Sequence, residues 1–171
     1  MTPTQNERIR AAAWQAARGQ LAGLPKDPYW CLRFVRLIIE RALGLRDGEL
    51  YQRYLIAGTS RRPGTPEQRL AAARKDVWAS DMEASAKLGG WGVPFADRRP
   101  GDLLFNYRAA EPQGHVAILI DRNTVIENAP QGDRPISIHL PNSMCITPVE
   151  ALSWTLAARV PDLTGGGNHS G

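Results

Sequence analysis

Apolar residues recur at helical spacing through the first half of the chain and at alternating spacing through the second. From residue 6 to about 21, Ile9, Ala12, Ala13, Ala16, Ala17 and Leu21 share one face, and Gly23 with Pro25 ends the run. A second helix is predicted over about 30–43. Phe34, Val35, Ile38, Ile39 and Ala42 fall inward, Arg33, Arg36, Glu40 and Arg41 outward, and Gly44 follows as a C-terminal glycine should. Between Arg46 and Pro63, the spacing of Leu50, Tyr51, Tyr54, Leu55 and Ile56 predicts a short helix, and the run from Thr59 to Pro66 an exposed loop. Thr65 as N-cap, Pro66 at the first helical position and Gln68 at the third open one further helix, predicted to continue to roughly Leu88, where Gly89-Gly90 close it. Leu70, Ala73, Val77 and Trp78 are its packing positions.

The period changes after Trp91. Pro100-Gly101-Asp102 makes a turn, and strands are predicted at 103–105, 116–120, 124–126, 136–140 and 154–160, separated by turn residues. Helices first and antiparallel strands after them is an α+β plan, with the helices packed on the sheet. Residues 163–171, rich in glycine and without core-forming side chains, are expected to be a disordered tail, which leaves a single domain over 1–162.

Composition narrows the class. The 171 residues are 43% hydrophobic, enough for one core, and two cysteines do not make a disulfide framework or show metal-ligand spacing. The net charge of +4 comes from scattered arginines, with short pairs only at Arg61-Arg62 and Arg98-Arg99. No nucleic-acid motif or aromatic stacking platform accompanies them, so a solvated basic surface is expected and no nucleic-acid partner. The polar N-terminus has neither a basic segment followed by an apolar core nor a membrane span. Synthesis in the cytoplasm without a signal peptide is the expectation.

Chemistry enters at Cys31. The turn-forming Asp27-Pro28-Tyr29-Trp30 runs directly into the second helix, so the cysteine falls in a first turn, where unpaired N–H groups and the helix dipole favour a thiolate. Far along the chain, Gly114-His115 opens an apolar strand, and Val125-Ile126-Glu127-Asn128 ends the next one on two polar side chains. A cysteine, a histidine and a polar orienter in that order suit a nucleophile, its base and the group that holds the base. The hairpin decides the orienter. A three-residue loop, Asp121-Arg122-Asn123, puts Glu127 opposite Ala117 and on the face of His115, whereas a two-residue loop, Arg122-Asn123, puts Asn128 there. The absence of a turn glycine favours the longer loop and Glu127. His139, in an apolar strand, and His169, in the tail, are not followed by such a strand; Cys145 has no helix after it and reads as a packing residue, and Trp91 and Trp154 as core or groove wall.

The ordered set Cys31, then Pro100-Gly101-Asp102, then Gly114-His115, then Glu127-Asn128 resembles the NlpC/P60 and CHAP domains, papain-like cysteine peptidases and amidases that cut bacterial peptidoglycan. The CHAP branch is the more similar, because Trp78 lies in a helix before the Pro-Gly-Asp turn and Glu127 with Asn128 follow the histidine strand. The resemblance covers most of residues 27–160. It implies a papain-like fold, amide cleavage in stem peptides by a Cys-His-Glu/Asn mechanism through a thioester, and no cofactor or metal. The Cys31 N–H would be one oxyanion donor and the Tyr29 hydroxyl a second. It also implies action at the cell wall; with no signal peptide expected, the open routes are release by a holin, injection by a secretion machine or a leader trimmed from this sequence, with a cognate inhibitor as a control partner. Two other classes stay open: a non-catalytic papain-like binding module, and a cysteine hydrolase or acyltransferase acting on another amide or ester.

Overall fold

Caps and apolar spacing place the helices in a computed structural model that describes residues 1–54 and 61–162. Helix α1 spans Gln5–Ala17 and opens with a capping box between Thr4 and Glu7. It ends before the predicted Leu21, because Arg18 caps it and Gly19 turns the chain at φ 71°. Helix α2 spans Cys31–Leu43 and stops at left-handed Gly44, whose N–H donates to the Glu40 carbonyl. Helix α3 covers Glu49–Tyr54; the rest of the expected helix at Leu55 and Ile56, and the loop positions Thr59 and Ser60, lie outside the described residues.

The single helix expected to reach Leu88 is two, α4 over Pro66–Lys75 and α5 over Ala79–Leu88. Asp76 and Trp78 are extended between them. The cause is Asp81: its carboxylate accepts the Trp78 N–H at 2.8 Å, starting a new helix, and the Arg62 guanidinium clamps both of its oxygens. Arg62 also donates to the Asp76 carbonyl, which fixes the break. The pair Arg61-Arg62 is therefore not a solvated surface: Arg62 is buried, and Arg61 binds Glu83 at 2.5 Å.

Seven strands make one antiparallel sheet: β1 Gly92–Val93, β2 Leu103–Arg108, β3 Glu111–Asp121, β4 Thr124–Asn128, β5 Ile138–Leu140, β6 Met144–Pro148 and β7 Leu156–Ala158, ordered β1-β7-β2-β3-β4-β6-β5. Strands β5 and β7 are shorter than expected, and β1 and β6 carry too few alternating positions to be read from the sequence. Strand β6 follows Asn142 and Ser143, both at φ near 60°, a sharp turn that returns the chain along β4.

The middle of the sheet is buried on both sides, while the edge strands β1 and β5 are largely exposed. Val116, Ile118, Ile120, Phe105 and Ile126 join one core with α1, α2 and α5, while Leu104, Ala117, Leu119, Val125 and Ala157 form a second with Val149. Among the described residues the result is α+β, five helices on a seven-stranded antiparallel sheet. The Pro-Gly-Asp turn pins its corner. Asp102 accepts two hydrogen bonds from Arg159, both 2.8 Å, and one from Asn6 Nδ2 at 2.7 Å, joining α1 to the strands. Gly101, at φ 92°, passes so close to α1 that a Cβ would lie 2.4 Å from the Asn6 carbonyl oxygen. No helix among the described residues is long and apolar enough to cross a membrane. The residues expected to form the tail, 163–171, lie outside the described ones.

Candidate active site

Cys31 is the first residue of α2, so the first-turn N–H groups around it have no partner within the helix. The thiol faces the ring of His115 and the backbone of Val116 near the start of the apolar part of β3. Gly114, at φ 72° and packed against Ser80, bends the strand just before that histidine.

The hairpin reaches the expected orienter by an unexpected route. Asp121 pairs with Thr124, so the loop is the two-residue Arg122-Asn123, not the three-residue one. A bulge at Ile120 then absorbs one residue, and the register beyond it sets Leu119 against Val125 and Ile118 against Ile126. Continued one step, that register brings Glu127 opposite Ala117. His115 Nε2 donates to Glu127 Oε1 at 2.6 Å, which leaves Nδ1 as the ring nitrogen for the thiol. Asn128 points to the other side of β4, fully buried, with no hydrogen-bond partner on either amide atom among the described residues. Glu127, not Asn128, is the residue hydrogen-bonded to His115.

Glu127 is itself held by groups the sequence reading missed. Arg134 grips both carboxylate oxygens, at 2.9 and 3.1 Å. Thr147, on β6 and diagonal to Glu127, donates to it, and Ser137 hydrogen-bonds Thr147 at 2.7 Å. An arginine seven residues after the orienter is a weak signal, and Thr147 was hidden with its strand. The Trp154 ring is stacked with that of His115, 6.4 Å between centroids, and is partly buried against the second core rather than lining the cleft at Cys31. Trp91 is core, edge-on to Tyr54. His139 is a surface residue bonded to the Arg134 carbonyl.

Electrostatics follow from this burial. Desolvation alone would raise the Cys31 thiol, but the charge and hydrogen bond of His115, with the N–H groups of Val116 and Leu32, hold it below its ordinary 9.0. Burial disfavours the charged His115 ring as well; Cys31 and Glu127 outweigh that and lift it from 6.5 to about 9. Glu127, which burial would raise, is drawn from 4.5 to about 2 by His115, Arg134 and Thr147. Cys145 stands directly opposite Glu127 on β6, and burial together with that carboxylate pushes its thiol up to about 11. The two cysteines are thus shifted in opposite directions: the charge of His115 draws the Cys31 thiol down toward the thiolate, and burial with the Glu127 carboxylate keeps Cys145 a packed thiol.

Two lobes of a cleft meet at Cys31. One, of about 510 Å³, runs between α2, Tyr51 and the α4–α5 junction at Trp78; the other, of about 710 Å³, runs past His115, Asn106 and Arg134. Tyr29 forms part of the rim of both, but its side chain is 78% exposed. The Asp27 carboxylate takes the Tyr29 N–H at 2.9 Å and shapes a turn that leaves the ring in solvent, not folded over Cys31 as expected. Tyr51 lines the first lobe instead, its phenol raised chiefly by burial and held beside Arg36. Among the described residues no three His, Cys, Asp or Glu side chains cluster to hold a metal. The chain matches no family model, no curated protein and no solved structure.

Proposed function

We propose that this protein is a papain-like cysteine peptidase or amidase that cuts an amide bond in cell-wall stem peptides, of the kind its sequence resembles. The observation that carries the reading is the chain Cys31, His115, Glu127. The cysteine starts a helix against the imidazole, and the imidazole donates to a fully buried carboxylate at 2.6 Å.

In this reading the Cys31 sulfur attacks the amide carbonyl, forming an S–C bond while the oxygen takes up negative charge near the helix N-terminus. The N–H of Cys31 donates to that oxygen. His115 then passes its proton to the departing amine as the C–N bond breaks, leaving a thioester on Cys31. Water, deprotonated by the now neutral His115, attacks the thioester, and the proton returns with the thiolate restored. Glu127 keeps the ring oriented and stabilises its charged form, as a buried carboxylate does in related triads. The cleft, open to both sides of Cys31, suits a chain that enters from one lobe and leaves through the other.

The class of bond is tested on purified sacculi. New amino groups without new reducing ends are expected; reducing ends without amino groups would refute the reading, since that pattern marks cleavage of a sugar linkage.

A further inference from the structure

The two lobes of the cleft differ in charge. Beside Cys31, the smaller lobe carries Arg33 and Arg36 from α2 and Arg74 and Lys75 from the end of α4, against one carboxylate, Asp76. The larger lobe balances Arg108 and Arg134 against Glu111 and Asp133. Of the four cations in the smaller lobe, Arg36 is already committed to Glu40 and Asp47. Arg33, Arg74 and Lys75 are exposed and form no ion pair among the described residues; Arg33 stacks on Trp30, 4.7 Å from the ring centroid, and its charge reaches Asp47 without forming an ion pair. The Asp76 carboxylate is taken up by Trp78 Nε1 at 3.2 Å. Three cations without an ion pair among the described residues thus line, from two helices, the lobe beside Cys31.

We infer that this lobe is a carboxylate-binding subsite: Arg33, Arg74 and Lys75 hold a free carboxylate of the substrate peptide and so fix which way the peptide lies across Cys31. The inference rests on the peptidase reading above and adds the substrate's charge and polarity to it. A single exposed ion pair contributes little. Three donors of like charge around one small cleft act together, because the bound peptide displaces the water that would screen them and guanidinium groups pair with carboxylate through charge-assisted hydrogen bonds. The larger lobe, whose Arg134 is already held by Glu127 and whose Arg108 stands with Glu111 and Asp133, offers no such set of unpaired cations and takes the rest of the chain.

The test uses purified muropeptides, native or with their carboxyl groups converted to carboxamides by carbodiimide and ammonia, so that the amide bonds are the same in both. The native form should show kcat/KM at least about tenfold higher at low salt, the advantage shrinking as ionic strength rises. In the triple variant Arg33→Gln, Arg74→Gln, Lys75→Gln, whose substituted side chains are exposed and outside the core, the two forms should be cut at similar rates. Equal rates for the two forms with the unaltered protein, or an undiminished preference in the triple variant, overturn the subsite while leaving the peptidase reading intact. Cleavage of neither form overturns that reading and the subsite with it.

Discussion

Glu127→Gln keeps the size of the orienting side chain and removes its charge, and the consequences can be worked from the structure. Three groups draw the carboxylate from 4.5 to about 2, which corresponds to roughly 3 kcal/mol of stability at neutral pH. Its folded-state pKa is depressed, so that contribution is present above about 4.5 and disappears as pH falls through about 2. The Gln variant, with Arg134 left in a polar pocket without its counter-charge, should lose about 3 kcal/mol in urea unfolding at pH 7 and show a flatter decline between those limits. Activity should fall further than stability. His115, raised to about 9 partly by Glu127, loses that support; the alkaline limb of kcat/KM should move down from about 9, and turnover should drop by roughly a thousandfold. With a less basic imidazole beside it, the Cys31 thiolate should also need higher pH, read as the pH midpoint of its alkylation. An alkaline limb that stays near 9, with turnover near normal in a folded variant, would refute the reasoning.

Other outcomes follow from the same geometry. Asn128→Ala, on the far face of β4 with no polar partner among the described residues, should leave turnover within about threefold of normal; a hundredfold loss with folding intact would return the orienting role to Asn128. Arg134→Gln should leave the chain folded but less stable in urea unfolding, since it strips a buried carboxylate of a counter-charge, and lower turnover by about tenfold, with the acid limb moving up, whereas an unshifted pH profile would make Arg134 structural only. Gly101→Ala should destabilise by more than about 2 kcal/mol in urea unfolding, because its Cβ would overlap the Asn6 backbone and its φ of 92° disfavours any side chain; unchanged stability would mean that α1 moves freely at this corner.

The parts of this structure with a local signature were legible in the sequence. Gly44 and Thr65 cap helices, and the apolar run before Asp121 is a strand. The failures came from contacts distant in sequence. Asp81 breaks the long helix because Arg62 reaches it across 19 positions. Strand β6 is a five-residue segment defined by pairing with β4 and β5 rather than by its own pattern. The hairpin shows both at once: its loop is the shorter one, and a bulge at Ile120, which alternation alone does not reveal, restores the register that favours Glu127. The exposed Tyr29 ring and the Arg134 clamp were equally out of reach, since each depends on a loop conformation.

The central claim is that Cys31 is the nucleophile of an amide hydrolysis, and mass spectrometry of purified muropeptides digested by the unaltered protein and by Cys31→Ala, with folding checked by circular dichroism, tests it most directly. The account predicts fragment pairs from the unaltered protein that sum to the parent plus one water, with a new amine on one of them, and none from the folded Ala variant. The same fragments appearing at the same rate from both proteins would contradict it.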